Sequence, residues 1–231
     1  MKKPFLAAVI PVRKGSERLK NKNFLKFYKN KSLLEIKIQQ LKKIKFIDKI
    51  VVSSDTQIAA EIAKKNNVFF HKREKFFASS KCSGSQFFEN LAQSIECDYI
   101  GYFPCTSPII KHDTYISFIK VFLKNRKSFD SFNSVTSLKK FLWKGKNPIN
   151  YKITNAPNSQ HLPDNFYTIT FGLNIISREK MIKYKNIVGI KPNFFPISKI
   201  ESSDIDDKVD FKMIKSIYSD FYLDEKKKLS I

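Results

Sequence analysis

Short apolar runs alternate along this chain with stretches whose apolar residues return every three or four positions. The first rhythm predicts buried strands and the second amphipathic helices. Phe5-Leu-Ala-Ala-Val-Ile10 predicts a buried strand, and 33–44, with lysines between its apolar residues, predicts a helix. A strand follows over 47–53, ended by Ser54-Asp55-Thr56, where Asp55 or Thr56 is placed to cap a helix over 58–65. A strand over 68–71, a polar loop over 72–85 and a helix near 86–95 come next. The strand predicted over 98–103 breaks at Pro104-Cys-Thr-Ser-Pro108, before a helix over 114–123 and a strand over 131–135.

This alternation implies parallel βαβ units, hence an α/β fold built on a doubly wound, mostly parallel sheet with helices on both faces. Ligands of such sheets sit over the carboxyl ends of the strands, where the loops starting at Arg13, Ser54, Lys72 and Pro104 would converge. The alternation fades over 139–165, where Asn, Pro and Lys accumulate around Trp143, the single tryptophan. That segment is expected to be an insertion or a dimerisation arm. Strand character returns over 166–171 and 173–176, with a short extended piece over 194–198. A final helix is predicted over 209–221, with Phe211, Ile214, Ile217 and Tyr218 at helical spacing, followed by a polar tail over 224–229. No internal repeat or second domain is visible, so a single domain spanning 1–231 is expected.

Composition narrows the class. With 42% hydrophobic residues in 231, the chain can build a substantial core, which excludes wholesale disorder. A formal charge of +22 invites a nucleic-acid reading, but only five of the 43 cationic side chains are arginine, the residue that bidentate phosphate and base contacts favour. The lysines are spread along the whole chain, as a compositional bias would spread them. Nucleic-acid binding is therefore not expected. Cys82, Cys97 and Cys105 have neither an even count nor CxxC spacing, so they make no disulfide framework or zinc site and fit a reducing cytoplasm. The N-terminal apolar run is too brief for a signal peptide, and no later run could span a membrane. A cytoplasmic protein without membrane association is the expectation.

Candidate chemistry concentrates in two places. The loop Ile10-Pro-Val-Arg-Lys-Gly-Ser-Glu-Arg-Leu-Lys-Asn-Lys-Asn23 follows the first strand with one glycine, one serine and the cations Arg13, Lys14, Arg18, Lys20 and Lys22. A strand that ends in such a loop can cradle a polyphosphate through backbone N–H groups and neutralising side chains. The competing reading is a solvated basic surface. Near the other end, Asp204 and Asp206 stand two apart, which in an extended segment puts both carboxylates on one face, about 6–7 Å apart. Mg²⁺ takes one or two carboxylates together with phosphate oxygens. The competing role is capping of the last helix, for which Asp207 and Asp210 are better placed.

Taken together these residues resemble a known family. The opening loop is similar to the IPARGGSKRIPxKN signature of the acylneuraminate cytidylyltransferases, or CMP-sialic acid synthetases, and Val51-Val-Ser-Ser-Asp-Thr56 resembles their VVSTD segment. Arg73 with Phe77-Ala78 resembles RPxxLA, and Thr106-Ser-Pro108 resembles the PTSPLR turn. Gln160-x-Leu-Pro163 resembles RQxLP, and Asp204-Ile-Asp206 with Asp210-Phe211 resembles DIDxxxDF. The matches run in order over nearly the whole chain. The resemblance implies a nucleotide-diphospho-sugar transferase-like, Rossmann-like fold. It also implies transfer of CMP from CTP to the anomeric hydroxyl of a sialic-acid-like nonulosonic acid, with release of pyrophosphate, for surface glycan assembly. By match to the motifs, Arg13, Ser16, Arg18, Lys22, Asn23, Arg73 and Ser83 would hold the nucleotide, Thr106 and Gln160 the acceptor, and Asp204 and Asp206 the Mg²⁺. Arg13, Lys22 and Asp206 would carry the catalysis. A homodimer is implied as well.

The departures have a direction. In the loop, Lys14, Glu17 and Lys20 stand where the family has glycine, lysine and proline. At the acceptor end, Ile110 and Ser159 replace the arginines of TSPLR and RQxLP, Ser80 replaces the aspartate of LAxD, and Phe171-Gly-Leu-Asn-Ile175 stands against NGAIY. Removing two cations from a pocket for an anionic sugar costs several kcal/mol unless other groups compensate. Lys111 and His161 are the nearest candidates. A different ulosonic acid or a phosphorylated small molecule is therefore the alternative acceptor, and a catalytically weak nucleotide-binding paralogue is the alternative to an active enzyme.

Overall fold

A computed structural model describes residues 3–15 and 18–229, with side chains described through residue 220. Its elements in chain order begin with β1 (Leu6–Pro11), β2 (Lys26–Tyr28), β3 (Lys31–Ser32), α1 (Leu33–Lys42), β4 (Lys49–Ser54), α2 (Gln57–Lys65) and β5 (Phe69–Lys72). Then come α3 (Gly84–Ser94), β6 (Tyr99–Tyr102), α4 (His112–Asn125), β7 (Ser131–Ser137), β8 (Trp143–Lys144) and β9 (Asn147–Pro148). The chain ends with β10 (Tyr167–Ser177), α5 (Arg178–Tyr184), β11 (Pro192–Pro196) and α6 (Lys208–Leu229).

Local chemistry explains the helix starts. Ser32 and Ser83 each form a reciprocal capping box with the residue three positions on, Glu35 for α1 and Gln86 for α3. Thr56, rather than Asp55, caps α2 by accepting from Ala59 N–H, and Ser177 caps α5. The central sheet has seven strands in the order β11-β7-β10-β6-β1-β4-β5. β1, β4, β5 and β6 pair in parallel, β11 is parallel to β7, and β10 runs antiparallel to both neighbours. The sheet is thus doubly wound and mostly parallel, as expected.

The apolar core lies on both faces of this sheet. Along β1, Leu6, Ala8 and Ile10 join the larger cluster with Leu34, Ile38, Phe118 and Phe122 of α1 and α4. Ala7 and Val9 join the smaller one with Leu91, Ala92 and Met181 of α3 and α5. Because β1 is covered on both faces, its sequence is continuously apolar instead of alternating. After β5 the chain crosses to β6, on the other side of β1. The loops leaving β1 and β6 therefore diverge, and a crevice opens between them.

Several elements differ from expectation. The strands predicted over 166–171 and 173–176 are one strand, β10, whose pairing with β7 shifts register between Ile169 and Asn174. The bulge contains Phe171 at φ 54, and that break in alternation is what divided the pattern. The tail expected over 224–229 is helical and continues α6. The β2–β3 hairpin turns through Lys29 and Asn30, both with positive φ, without the Asn-Gly signal that usually reveals such turns. The short helix α5 also escapes the periodicity, because seven residues make barely two turns. Within 139–165 the structure contains the β8–β9 hairpin and two 3₁₀ turns, Ile153–Asn155 and Ser159–His161.

Candidate active site

A cleft of about 570 Å³ opens over the carboxyl ends of β1, β5 and β6. β1 continues past its end through Val12, whose N–H donates to Ser53 C=O at 3.0 Å, and the chain then turns outward at Arg13. The loop returns through Asn21, at φ 56, into a 3₁₀ turn over Lys22–Phe24. That turn buries Asn23, whose Oδ1 accepts from Cys105 Sγ at 3.2 Å, and aims Lys22 along the cleft wall. Lys22 Nζ donates to Ile205 C=O at 2.5 Å and lies 3.6 Å from Asp206 Oδ1; Arg18 Nη2 lies 2.8 Å from the same oxygen.

Arg73 is held differently. It is 5% exposed, and its Nη2 donates to the carbonyls of Val12 at 2.8 Å and Ser53 at 2.5 Å. Its guanidinium lies 4.9 Å from the centre of the Phe87 ring, and its buried Nε has no hydrogen-bond partner among the described residues. Burial is the main pressure on the group and pulls its pKa down, although guanidinium remains charged from so high a starting value. A buried cation gripped on one side by main-chain carbonyls is preorganised for an anion in the cleft. Ser83 and Gly84 also line the cleft, at the N-terminus of α3.

The turn after β6 completes the wall. Pro104 and Thr106 face the cleft, and Thr106 C=O accepts from Ile205 N–H at 2.9 Å. Ile205 is fully buried, so its neighbours Asp204 and Asp206 both point back to the cleft. Ser107 Oγ donates to Asp204 Oδ1 at 3.1 Å. Capping of α6 falls to other carboxylates. Asp207 Oδ1 accepts from Val209 and Asp210 N–H, and Asp210 Oδ2 accepts from Asp206 and Asp207 N–H. The Asp210 backbone N–H, followed by that of Val209 and the charges of Arg18 and Lys22, holds the Asp207 carboxyl below its usual range.

Of the residues singled out from sequence, the cleft brings together Arg13, Arg18, Lys22, Asn23, Arg73, Ser83, Thr106, Asp204 and Asp206. Ser16 lies outside the described residues. Gln160 is not among the lining residues; it sits on an exposed 3₁₀ turn in the segment expected to be an arm. Four cations, Arg13, Arg18, Lys22 and Arg73, meet two carboxylates in one cleft, an arrangement suited to a polyphosphate carrying a divalent cation. No group of three His, Cys, Asp or Glu among the described residues makes a complete metal cage. Two hard carboxylate donors facing a phosphate cradle nevertheless fit Mg²⁺, which takes its other oxygens from phosphates and water.

Two supporting residues escaped the sequence reading. Lys37 on α1 is fully buried and donates from Nζ to Ser107 C=O at 2.8 Å and to Tyr115 Oη at 2.5 Å. Burial drags its pKa to about 7, against the opposing pull of Cys105 and Asp204. Its signal was present: position 37 stands three after Leu34 and four before Leu41, on the apolar side of the helix. Glu201, 7% exposed, accepts from Lys111 N–H at 3.1 Å and from Thr114 Oγ1 at 2.5 Å through Oε1, and from Ser198 Oγ at 2.9 Å through Oε2. No periodicity marks it, because its partners at the start of α4 lie about 90 residues away in sequence.

Known proteins bear on this geometry. The fold is similar to that of a CMP:2-keto-3-deoxy-manno-octonic acid synthetase solved in complex with CTP, at a TM-score of 0.69 and 11% identity, covering 94% of this chain and 99% of that one. It is also similar to a cytidylyltransferase from Leptospira borgpetersenii, at a TM-score of 0.63 and 20% identity, covering 97% of this chain and 95% of the other. In sequence, the chain is 24% identical over 235 residues to an N-acylneuraminate cytidylyltransferase of Escherichia coli. That match covers 92% of this chain and 52% of the relative, so the chain spans about half the length of the curated protein it matches. A family model described as cytidylyltransferase matches residues 7–150, more than half of the chain, and on that match the chain belongs to the cytidylyltransferase family.

Proposed function

We propose that this protein transfers CMP from CTP to the anomeric hydroxyl of a sialic-acid-like nonulosonic acid, releasing pyrophosphate, as a cytoplasmic homodimer serving surface glycan synthesis. The observation that carries the reading is the meeting of Arg13, Arg18, Lys22 and Arg73 with Asp204 and Asp206 in one cleft at the topological switch point. The E. coli relative's name and the motif resemblance support the acceptor class. Among the described residues no helix is long and apolar enough to cross a membrane.

In the reaction, the acceptor oxygen bonds to the α-phosphorus as the bond to the β-phosphate bridging oxygen breaks. The hydroxyl proton goes to solvent and pyrophosphate leaves. Such chemistry needs charge neutralisation and in-line placement more than a covalent nucleophile. Arg13 and Arg73 both line the cleft beside the β1 end and present positive charge there, while Arg18 and Lys22 hold Asp206 until a nucleotide arrives. The Arg18–Asp206 pair is solvent-exposed and weak and the Lys22–Asp206 contact is long at 3.6 Å, so exchanging the carboxylate for phosphate oxygens is cheap. Asp204 and Asp206 would hold Mg²⁺, which when bound neutralises phosphate oxygens.

A second acceptor class is favoured by one observation. Ile110, where the resembling family has arginine, is buried, and its Cδ1 would lie 2.8 Å from a Cβ added to Gly172. Apolar packing thus occupies the place of a cation that could hold a sialic-type carboxylate. Pyrophosphate release from CTP and Mg²⁺, measured over a panel of nonulosonic acids, other ulosonic acids and phosphorylated small molecules, separates the two. Turnover confined to phosphorylated acceptors would refute the nonulosonic reading, and CTP binding without turnover on any acceptor would refute the enzymatic one. Asp206→Asn is expected to lower turnover by roughly a hundredfold or more while CTP still binds, because Arg18 and Lys22 are left free for phosphate. Turnover near that of the parent protein would remove Asp206 from the mechanism.

A further inference from the structure

Lys37 places a basic group where the fold has no need of one. The positions around it on α1, Leu33, Leu34, Ile38 and Leu41, are fully buried and apolar, and a leucine or methionine there would extend the same core. Burying an ammonium group is costly unless strong hydrogen bonds repay it, and both hydrogen-bond partners of Lys37 are uncharged. One of them, the Ser107 carbonyl, belongs to the turn after β6 that carries Thr106 into the cleft. One helical turn along α1, Gln40 Nε2 donates to Pro108 C=O at 2.6 Å, so the same helix face grips that turn twice. Ser107 passes the constraint on. Its hydroxyl donates to Asp204 Oδ1, and the next carbonyl back, Thr106, accepts from Ile205 N–H between the two cleft carboxylates.

We propose that Lys37 is a positioning residue which, by holding the Ser107 carbonyl from beneath, sets the Ser107 hydroxyl that orients the Asp204 carboxylate in the cleft. This rests on the reading of the cleft as a Mg–CTP site. Tyr115 Oη is the second acceptor of the ammonium, on α4 and not on the turn. A donor that acts only through Ser107 should couple to Ser107 and to the metal dependence of nucleotide binding. Nucleotide affinity in the absence of metal should be untouched.

The test is a double-mutant cycle on the full chain with Lys37→Met, Ser107→Ala and the pair, read by isothermal titration of CTP with and without Mg²⁺ and by steady-state pyrophosphate release. Each single substitution is expected to weaken the Mg²⁺-dependent part of CTP binding by about tenfold, as loss of an outer-shell support does. Metal-free CTP affinity should stay within about twofold, and in the turnover assay KM for CTP should rise in step with the weakened Mg²⁺-dependent binding. The pair should be no worse than either single change, and Tyr115→Phe should behave nearly as the parent. Additive losses, loss of metal-free affinity, or an equal defect in Tyr115→Phe would overturn the proposal, since general loosening of the core predicts each of them. Should Lys37→Met not fold, Lys37→Gln, a shorter and neutral donor, enters the same cycle. A parent protein that binds no CTP would overturn the functional reading and this proposal with it; additive losses in an active parent would overturn this proposal alone.

Discussion

Burial, the dominant cause, lowers the Lys37 pKa in the folded chain from the ordinary lysine value of 10.5 to about 7. Between those values the unfolded chain binds the extra proton, so stability rises with pH; below about 7 both states carry it and the full burial cost stands. Other groups bracket this window. His71, lowered by burial and by Arg73, acts only below its ordinary 6.5, while the Cys97 and Cys105 thiols, pushed up to about 11 and about 12, turn the slope downward above 9. Comparing the parent with Lys37→Met cancels the His71 and Cys97 contributions, and Cys105, which is coupled to Lys37, acts only above the range tested. Urea denaturation across pH 6 to 9 should show the difference in stability shifting in favour of the parent by up to about 1.4 kcal/mol per pH unit above 7. A difference independent of pH would mean that Lys37 does not titrate in this range.

Among the elements, α4 depends on a residue far from it in sequence. Its N-cap, Lys111, offers no side-chain cap, and Glu201, just before α6 in the chain, supplies one by accepting from Lys111 N–H and Thr114 Oγ1. A carboxylate at a helix N-terminus also meets the positive end of the helix dipole. Glu201→Gln preserves the shape and removes the charge, and it should cost about 1–2 kcal/mol in urea denaturation. An unchanged midpoint and slope would show that the contact carries no net stability. Segments with strong local signals were legible from sequence: α1 and α4 by periodicity, α2 by its Thr56 cap, β1 by its apolar run. β2–β3, α5 and the continuity of β10 were not, because a Lys-Asn turn, a two-turn helix and a bulge at Phe171 each lack the local pattern that marks their class.

The molecule as a whole exposes large apolar side chains around the 139–165 segment. Phe141, Trp143, Ile149 and Ile153 are exposed there, joined by Tyr167, Phe171 and Phe194 on the adjoining strands. Phe141 and Trp143 pack edge-on to Tyr151, so the hairpin presents a built aromatic surface. Exposed apolar clusters of this kind mark contact surfaces. The proposed homodimer therefore predicts that sedimentation velocity at micromolar concentration gives a dimer, and that Phe141→Ser with Trp143→Ser shifts it to monomer. A parent chain that sediments as a monomer would refute the dimer.

What was settled along the chain was whatever depends on neighbours in sequence. The apolar rhythms specified an α/β sheet, while the loop 10–23 and the Asp204–Asp206 pair stood out as short-range patterns of charge and spacing, and Arg73 through the family resemblance. The cleft brings Arg13, Arg18, Lys22, Asn23 and Arg73 together with Asp204 and Asp206, while Asp207 and Asp210 take the cap that competed for those two carboxylates. Burial, and contacts spanning tens of residues or more, were decided by folding. Lys37 beneath Ser107, Glu201 on α4, the grip of Val12 and Ser53 carbonyls on Arg73, and the absence of Gln160 from the cleft wall all belong to that class. A hydrogen bond between residues 70 or 90 apart leaves no periodic trace, since only the packing of sheet and helices brings its two ends together.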